Sequence, residues 1–201
     1  MDVKAICEQA KAVGAKVAVD NTFLSPVLQQ PLTLGADIVI HSTTKYINGH
    51  SDVVGGAVVA KDPQLGEDLV WWANTLGLTG GAMDAYLTLR GVRTLAVRIK
   101  EHQRNAQLIV DALCASDVVA RVYYPGLTDH PGHEIAKAQQ QGFGAMVSFE
   151  LKGGAGEVEA FLNQLKLFSL AESLGGVESL VAVPATTVSY THLTLPTNRE
   201  V

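Results

Sequence analysis

The stretch Asp37-Ile38-Val39-Ile40-His41-Ser42-Thr43-Thr44-Lys45-Tyr46-Ile47-Asn48-Gly49-His50-Ser51 decides how the chain is read. Its first five residues, DIVIH, form a short, almost continuously apolar run, as expected of a strand in a parallel sheet covered on both faces. Three hydroxyl residues and a lysine follow at once, where such a strand would end. Upstream, Val3, Ile6, Cys7, Ala10 and Val13 share one helical face, and Gly14 supplies the stop. Lys16–Val19 is a second strand that leads into Asp20-Asn21-Thr22, and Pro26 and Pro31 bracket an irregular or helical stretch. Downstream, 55–61 predicts a third strand and 63–74 a helix carrying Trp71 and Trp72. The alternation of helix and strand is that of an α/β fold.

Apolar residues then keep helical spacing from Ala82 to Leu113, with Gly91 the one weak point for a bend. Beyond Ser116 the pattern restarts as strand 118–124, loop 125–132, helix 133–140, strand 145–151 and helix 156–165. This predicts a first α/β unit ending near residue 80, a long linking helix over 81–115, and a second, smaller α/β domain over 116–187.

Composition narrows the functional classes. Fifteen Lys and Arg against twenty Asp and Glu give a formal charge of −5, with no block of like charge, which argues against nucleic acid or an anionic membrane as partner. No apolar run approaches the roughly 18–20 residues of a membrane span, and the amphipathic start does not resemble a signal peptide, so a cytoplasmic location is expected. Charged residues make up 17% of the chain, below the roughly 25% usual in soluble domains, which suggests faces buried against partner subunits or a piece of a longer protein. Cys7 and Cys114 read as two buried thiols rather than a disulfide framework. His130 and His133, in a Pro-Gly loop, make poor metal geometry, so no metal is expected. The paired glycines 80–81 and 175–176 fit no dinucleotide or phosphate-loop pattern and read as turns or close-packing points. The Trp pair reads as core or subunit interface.

The chemistry collects at one sheet edge. A strand ending in Asp20 and another ending before Ser42-Thr43-Thr44-Lys45 bring an acid, several hydroxyls and an amine to the carboxyl ends of strands, where open α/β sheets bind ligands. Hydroxyls and nearby backbone N–H groups suit a phosphate. An amine can form a Schiff base with an aldehyde, and a carboxylate can keep a pyridine nitrogen protonated. Together these functions describe a site for pyridoxal 5'-phosphate.

Residues 37–51 resemble the cofactor-lysine signature of the Cys/Met metabolism family of pyridoxal-phosphate enzymes. The resemblance extends from about Val3 to about Thr186, through AVDNTF before the signature, WWANTLGLTGGAMDAYLTLRGVRTL and QGFGAMVSFEL after it, and AESLGGVES near the end. It implies the fold-type I, aspartate aminotransferase-like architecture, here truncated at both ends. By the same resemblance Lys45 is the Schiff-base lysine and proton shuttle, and Asp20 is the partner of the pyridinium nitrogen. Ser42 and Thr44 are the phosphate hydroxyls, Ser179 helps place the amino-acid substrate, and Glu178 is the acidic residue of members that act at the γ carbon. The implied reaction is γ-replacement, in which L-cysteine displaces succinate from O-succinylhomoserine to give L-cystathionine. Sibling activities are γ-elimination from cystathionine or methionine and sulfhydrylation of an O-acylhomoserine. A noncatalytic folding unit is the alternative of another class.

Family members are longer and assemble as homotetramers. Relative to them the chain is expected to lack an N-terminal segment that reaches the neighbouring subunit, a glycine-containing phosphate loop, a ring-stacking tyrosine and a carboxylate-binding arginine. An unpaired sheet edge and poor solubility are expected to follow. Residues 188–201 depart from the family pattern and resemble translated vector sequence.

Overall fold

β1 (Ala18–Asp20) and β2 (Ile38–Ser42) lie side by side and parallel, with Ala18 opposite Ile38 and Asp20 opposite Ile40. A computed structural model of the chain describes residues 1–184; the expected non-family tail lies outside them. β3 (Gly56–Ala60) pairs with the other edge of β2 but runs antiparallel, placing Ala57 opposite His41 and Gly56 opposite Ser42. The connection explains the difference in direction. β1 reaches β2 through α2 (Ser25–Leu28) and a 3₁₀ turn over Pro31–Leu34, a crossover long enough to bring the chain back in the same sense. Between β2 and β3 the chain instead doubles back through tight turns that carry Lys45.

Two clusters hold this part together. α1 (Val3–Ala12), capped by the Asp2 carboxylate accepting from the Ala5 amide at 3.0 Å, buries Val3 and Cys7 against Ala36, with Val17, Val19 and Leu34 around them. Ile6 and Val13, on the helical face expected to be covered, stay exposed. Asp37 ties β1 to β2, its carboxylate accepting from the Val17 amide at 2.9 Å and from Lys16 at 3.3 Å. The Val17 amide, and then Lys16, hold that carboxyl below the usual range against an opposing desolvation effect. The second cluster, Leu28, Tyr46, Ile47, Leu95 and Ile99, joins α2 and the lysine turn to the helix that follows.

The helical stretch from 82 is two helices, α4 (Ala82–Val92) and α5 (Leu95–Cys114), separated at Arg93 and Thr94. The break falls just past Gly91, whose role is close packing: a Cβ there would stand 2.5 Å from the Asn48 carbonyl oxygen and 2.6 Å from that of Ile47. Beyond α5, β4 (Val119–Tyr123) pairs antiparallel with β5 (Ser148–Leu151). α6 (His133–Gln139) reaches α1, Gln139 Oε1 accepting from the Val3 amide at 3.1 Å, while α7 (Ala155–Asn163) meets the β4–β5 pair through Phe149 and Phe161, edge to face at 5.7 Å. A short parallel pair, β6 (Ser169–Leu170) and β7 (Leu180–Val181), frames the loop 171–179.

Cys114 corrects the expectation of two buried thiols. Cys7 is buried, but Cys114 closes α5 on its outer side and is exposed. α3 (Pro63–Leu76) buries none of its residues among those described, and Trp71 and Trp72, edge to face at 4.8 Å, are 58% and 53% exposed.

Candidate active site

Lys45 sits at the head of a turn closed by its own backbone. The Lys45 amide donates to the Ser42 carbonyl at 3.3 Å, the Asn48 amide to Thr43 at 2.9 Å and the Gly49 amide to Lys45 at 2.9 Å. The Thr43 amide donates to the Gly55 carbonyl at 2.9 Å, and the Gly55 amide donates to Thr44 Oγ1 at 3.0 Å, so the turn is also stitched to the start of β3. Asn48 is buried and donates to the Val53 carbonyl at 3.3 Å. Local sequence thus builds a rigid pedestal at the carboxyl end of β2 for a half-buried lysine.

Asp20 ends β1 beside it. One carboxylate oxygen accepts from the Thr22 amide at 2.9 Å, and Thr22 Oγ1 accepts from the Ser42 amide at 2.8 Å, which joins the ends of the two strands. Ser42 keeps its hydroxyl without a partner among the described residues, whereas the Thr44 hydroxyl is shared with Gly55. The edge therefore holds the amine, the acid and both hydroxyls expected from the sequence. Next to them His41 is buried with Nδ1 unpartnered. Burial lowers its pKa, and the nearby Asp20 charge partly opposes that shift.

The loop 171–179 lies over this turn. Lys45 Nζ donates to Ser173 Oγ at 3.2 Å, across 128 residues of sequence. Gly175, at φ +81, presses on the backbone; a Cβ there would lie 2.5 Å from the Tyr46 nitrogen and 2.9 Å from the Lys45 carbonyl carbon. Ser51 Oγ donates to Glu178 Oε2 at 2.8 Å, so Glu178 is held at the far end of the signature. Its own amide, the Ser51 hydroxyl and the His50 charge keep the Glu178 carboxyl below the usual range, against a desolvation effect that raises it. Ser179 is exposed; its carbonyl accepts from the Ser169 amide at 2.9 Å, and among the described residues it makes no hydrogen bond to the lysine turn.

Arg98 of α5 supports the turn from below. Its guanidinium donates to the Tyr46 carbonyl at 2.6 Å, the Ile47 carbonyl at 3.2 Å and the Gly91 carbonyl at 2.8 Å, and Nε donates to Thr94 Oγ1 at 3.0 Å. Desolvation lowers its pKa. Tyr46, buried and edge to face with His102 at 5.4 Å, has its phenol pushed up to about 12, first by burial and then by Tyr124.

Ser173 and Arg98 lie outside the signature, and Ser51, its last residue, has no role assigned from sequence. The sequence does carry a signal for Arg98, which interrupts the apolar Leu95 to Ile99 step on the buried side of α5. Ser173 and Ser51 carry none; only folding brings them to Lys45 and Glu178.

A family model described as Cys/Met metabolism PLP-dependent enzyme matches residues 1–200, and the chain belongs to that family. Its cofactor is pyridoxal 5'-phosphate. Cystathionine γ-synthase of Escherichia coli (strain K12) is 59% identical over 186 residues, covering 92% of this chain and 48% of that protein. Cystathionine β-lyase of Lactococcus lactis subsp. cremoris (strain MG1363) is 50% identical over 196 residues, or 98% of this chain and 50% of that one. Among solved structures, cystathionine γ-synthase from Xanthomonas oryzae pv. oryzae in complex with aminoacrylate and cysteine superposes with a TM-score of 0.93. It is 61% identical, with 95% of this chain and 49% of that one covered. The fold is that of these pyridoxal-phosphate enzymes, and the chain spans about half the length of the curated relatives it matches.

Proposed function

We propose that the protein to which this chain corresponds catalyses γ-replacement, joining L-cysteine to O-succinylhomoserine to give L-cystathionine and succinate, with Lys45 as the residue that bonds the cofactor. The Cγ–O bond breaks, a Cγ–S bond forms and the thiol proton is released, with no net oxidation or reduction. The observation that carries the reading is the convergence of Lys45, Asp20, Ser42 and Thr44 at one sheet edge beneath the loop that bears Glu178. The donor set suits pyridoxal 5'-phosphate: an amine for its aldehyde, a carboxylate for its ring nitrogen and hydroxyls for its phosphate.

When bound, the cofactor would supply an electron-withdrawing ring that stabilises negative charge on the amino-bearing carbon of the substrate. Asp20, with one oxygen engaged by Thr22, has lone pairs left to hold a proton on the ring nitrogen. The Ser42 hydroxyl would hold the phosphate, together with that of Thr44, whose bond to the Gly55 carbonyl is long at 3.4 Å. The Lys45 amine removes the α proton and returns a proton further along the substrate. Ser173 Oγ accepts from that amine when it is not bonded to the cofactor. Glu178 and Ser179 position the amino-acid substrate and bias the chemistry toward its γ carbon.

The 59% identity to a cystathionine γ-synthase supports this choice over γ-elimination from cystathionine or methionine and over sulfhydrylation. β-Elimination from cystathionine is the second reading, favoured by the 50% identity to a β-lyase. A noncatalytic role for the chain by itself is the outcome if the cofactor does not bond. The same reading divides the chain into a cofactor-domain part (1–80), a linking segment (81–115) and a small-domain part (116–187), and makes the protein a cytoplasmic homotetramer.

Lys45→Ala in the complete gene is expected to abolish turnover and the phosphopyridoxyl adduct left by borohydride reduction. A normal γ-replacement rate in that variant would overturn the reading. Product analysis with O-succinylhomoserine, with and without cysteine, separates synthase from lyase.

A further inference from the structure

We infer that Arg98 is the positioning residue of the lysine turn, setting where Lys45 stands by holding the two carbonyls that follow it. This rests on the reading of Lys45 as the cofactor lysine. Three of the guanidinium's bonds go to backbone carbonyls of two separate segments, Tyr46 and Ile47 in the turn and Gly91 at the end of α4. The fourth, to Thr94 Oγ1, fixes the side chain at the start of its own helix. A planar cation with a rigid fork of donors can satisfy such divergent acceptors at once; a lysine ammonium on a flexible stem cannot.

The turn is shaped to receive the guanidinium. Gly49 stands at φ +70, and a Cβ there would lie 2.1 Å from Arg98 Nη1 and 2.5 Å from Cζ, so any larger residue displaces the cation. The Gly49 amide closes the turn onto the Lys45 carbonyl at 2.9 Å. One residue thus gives two turn carbonyls a charged partner and fills the space that a side chain at position 49 would need.

The test uses the 201-residue chain with Arg98→Met, Arg98→Lys and Gly49→Ala, measured in two ways. Amide hydrogen exchange of Asn48 and Gly49, without cofactor, reads the turn itself. Borohydride labelling after incubation with pyridoxal phosphate, mapped by peptide mass, reads the selectivity for Lys45 over the other lysines. Arg98→Met and Gly49→Ala are expected to speed exchange of these two amides and to cut Lys45 selectivity, each by at least about tenfold, with the β1–β2 amides unchanged. Arg98→Lys is expected to recover only part of each effect.

Wild-type protection at Asn48 and Gly49 in Arg98→Met would overturn the inference, as would wild-type selectivity in a variant whose turn has loosened. If Arg98→Met loses protection throughout the sheet, Arg98 supports the whole fold and the specific role fails; Gly49→Ala then decides whether displacing the cation alone loosens the turn. Absence of selective labelling in the unmutated chain would mean that this chain by itself does not organise the cofactor, while the exchange result would still decide the clamp.

Discussion

Gly91→Ala and Gly66→Ala place the same methyl group in two helices with opposite expected results. Both positions are helical, so propensity alone favours alanine by up to about 1 kcal/mol at each. At Gly66 in α3 the nearest atom to the added Cβ is the Ala60 Cβ at 4.0 Å, an open site, and the propensity gain should survive as a stabilisation of a few tenths to about 1 kcal/mol. At Gly91 the Cβ would meet the Asn48 carbonyl oxygen at 2.5 Å, the Ile47 oxygen at 2.6 Å and the Asn48 Cα at 2.9 Å. These are backbone atoms of a turn stitched at both ends, and α4 must recede by about 0.9 Å to restore the 3.4 Å of ordinary contact. Overpacking of this kind costs about 1–3 kcal/mol, which outweighs the helical gain and leaves a net loss near 1–2 kcal/mol. With a urea slope of about 1–3 kcal/mol per molar, the unfolding midpoint should fall by roughly 0.3–2 M for Gly91→Ala and rise slightly for Gly66→Ala. Far-UV circular dichroism in urea follows both. A Gly91→Ala midpoint at or above that of the parent chain would refute the packing argument.

Two more outcomes are expected. Tyr124→Phe removes the hydroxyl that donates to the Gly144 carbonyl at 3.0 Å in a buried setting, so stability should drop by about 1–2 kcal/mol in the same urea assay. Burial lowers the pKa of both His41 and His102, with the Arg98 charge adding to the shift at His102. The unfolded chain therefore binds the protons more readily, and the stability these groups contribute is complete above about pH 6.5 and lost as pH falls from there toward their folded values. The urea midpoint should decline between pH 7 and 5, and the decline should be shallower in His41→Asn; an unchanged slope would remove His41 as its source.

The part of the site that could be read in the sequence is the part made by consecutive residues. DIVIH followed by STTK gives a buried strand and a lysine at its end because apolar continuity and turn chemistry act over a few residues, and Asp20 follows by the same logic from KVAVD. Strand direction is different in kind: GGAVVAK looks the same in either sense, and β3 turned out antiparallel because the lysine turn doubles back. Gly91 could be seen as a weak point in a helix, but not as the place where a helix touches the Ile47 and Asn48 carbonyls. Arg98 and Ser173 reach the turn from 52 and 128 residues away, and no local pattern encodes such a meeting.

The bond between Lys45 and Ser173 also sets an order of assembly. The turn closes over four residues, from the Gly49 amide to the Lys45 carbonyl, whereas the Ser173 contact closes a loop of 128. Loop entropy grows by only about 0.6 kcal/mol per doubling, so the longer closure costs about 3 kcal/mol more. The cost in time is larger, because distant contacts form late. On a ribosome the pedestal can be complete while its cover is still unsynthesised, and the amine of Lys45 stands uncovered until residues 173–178 have emerged and docked.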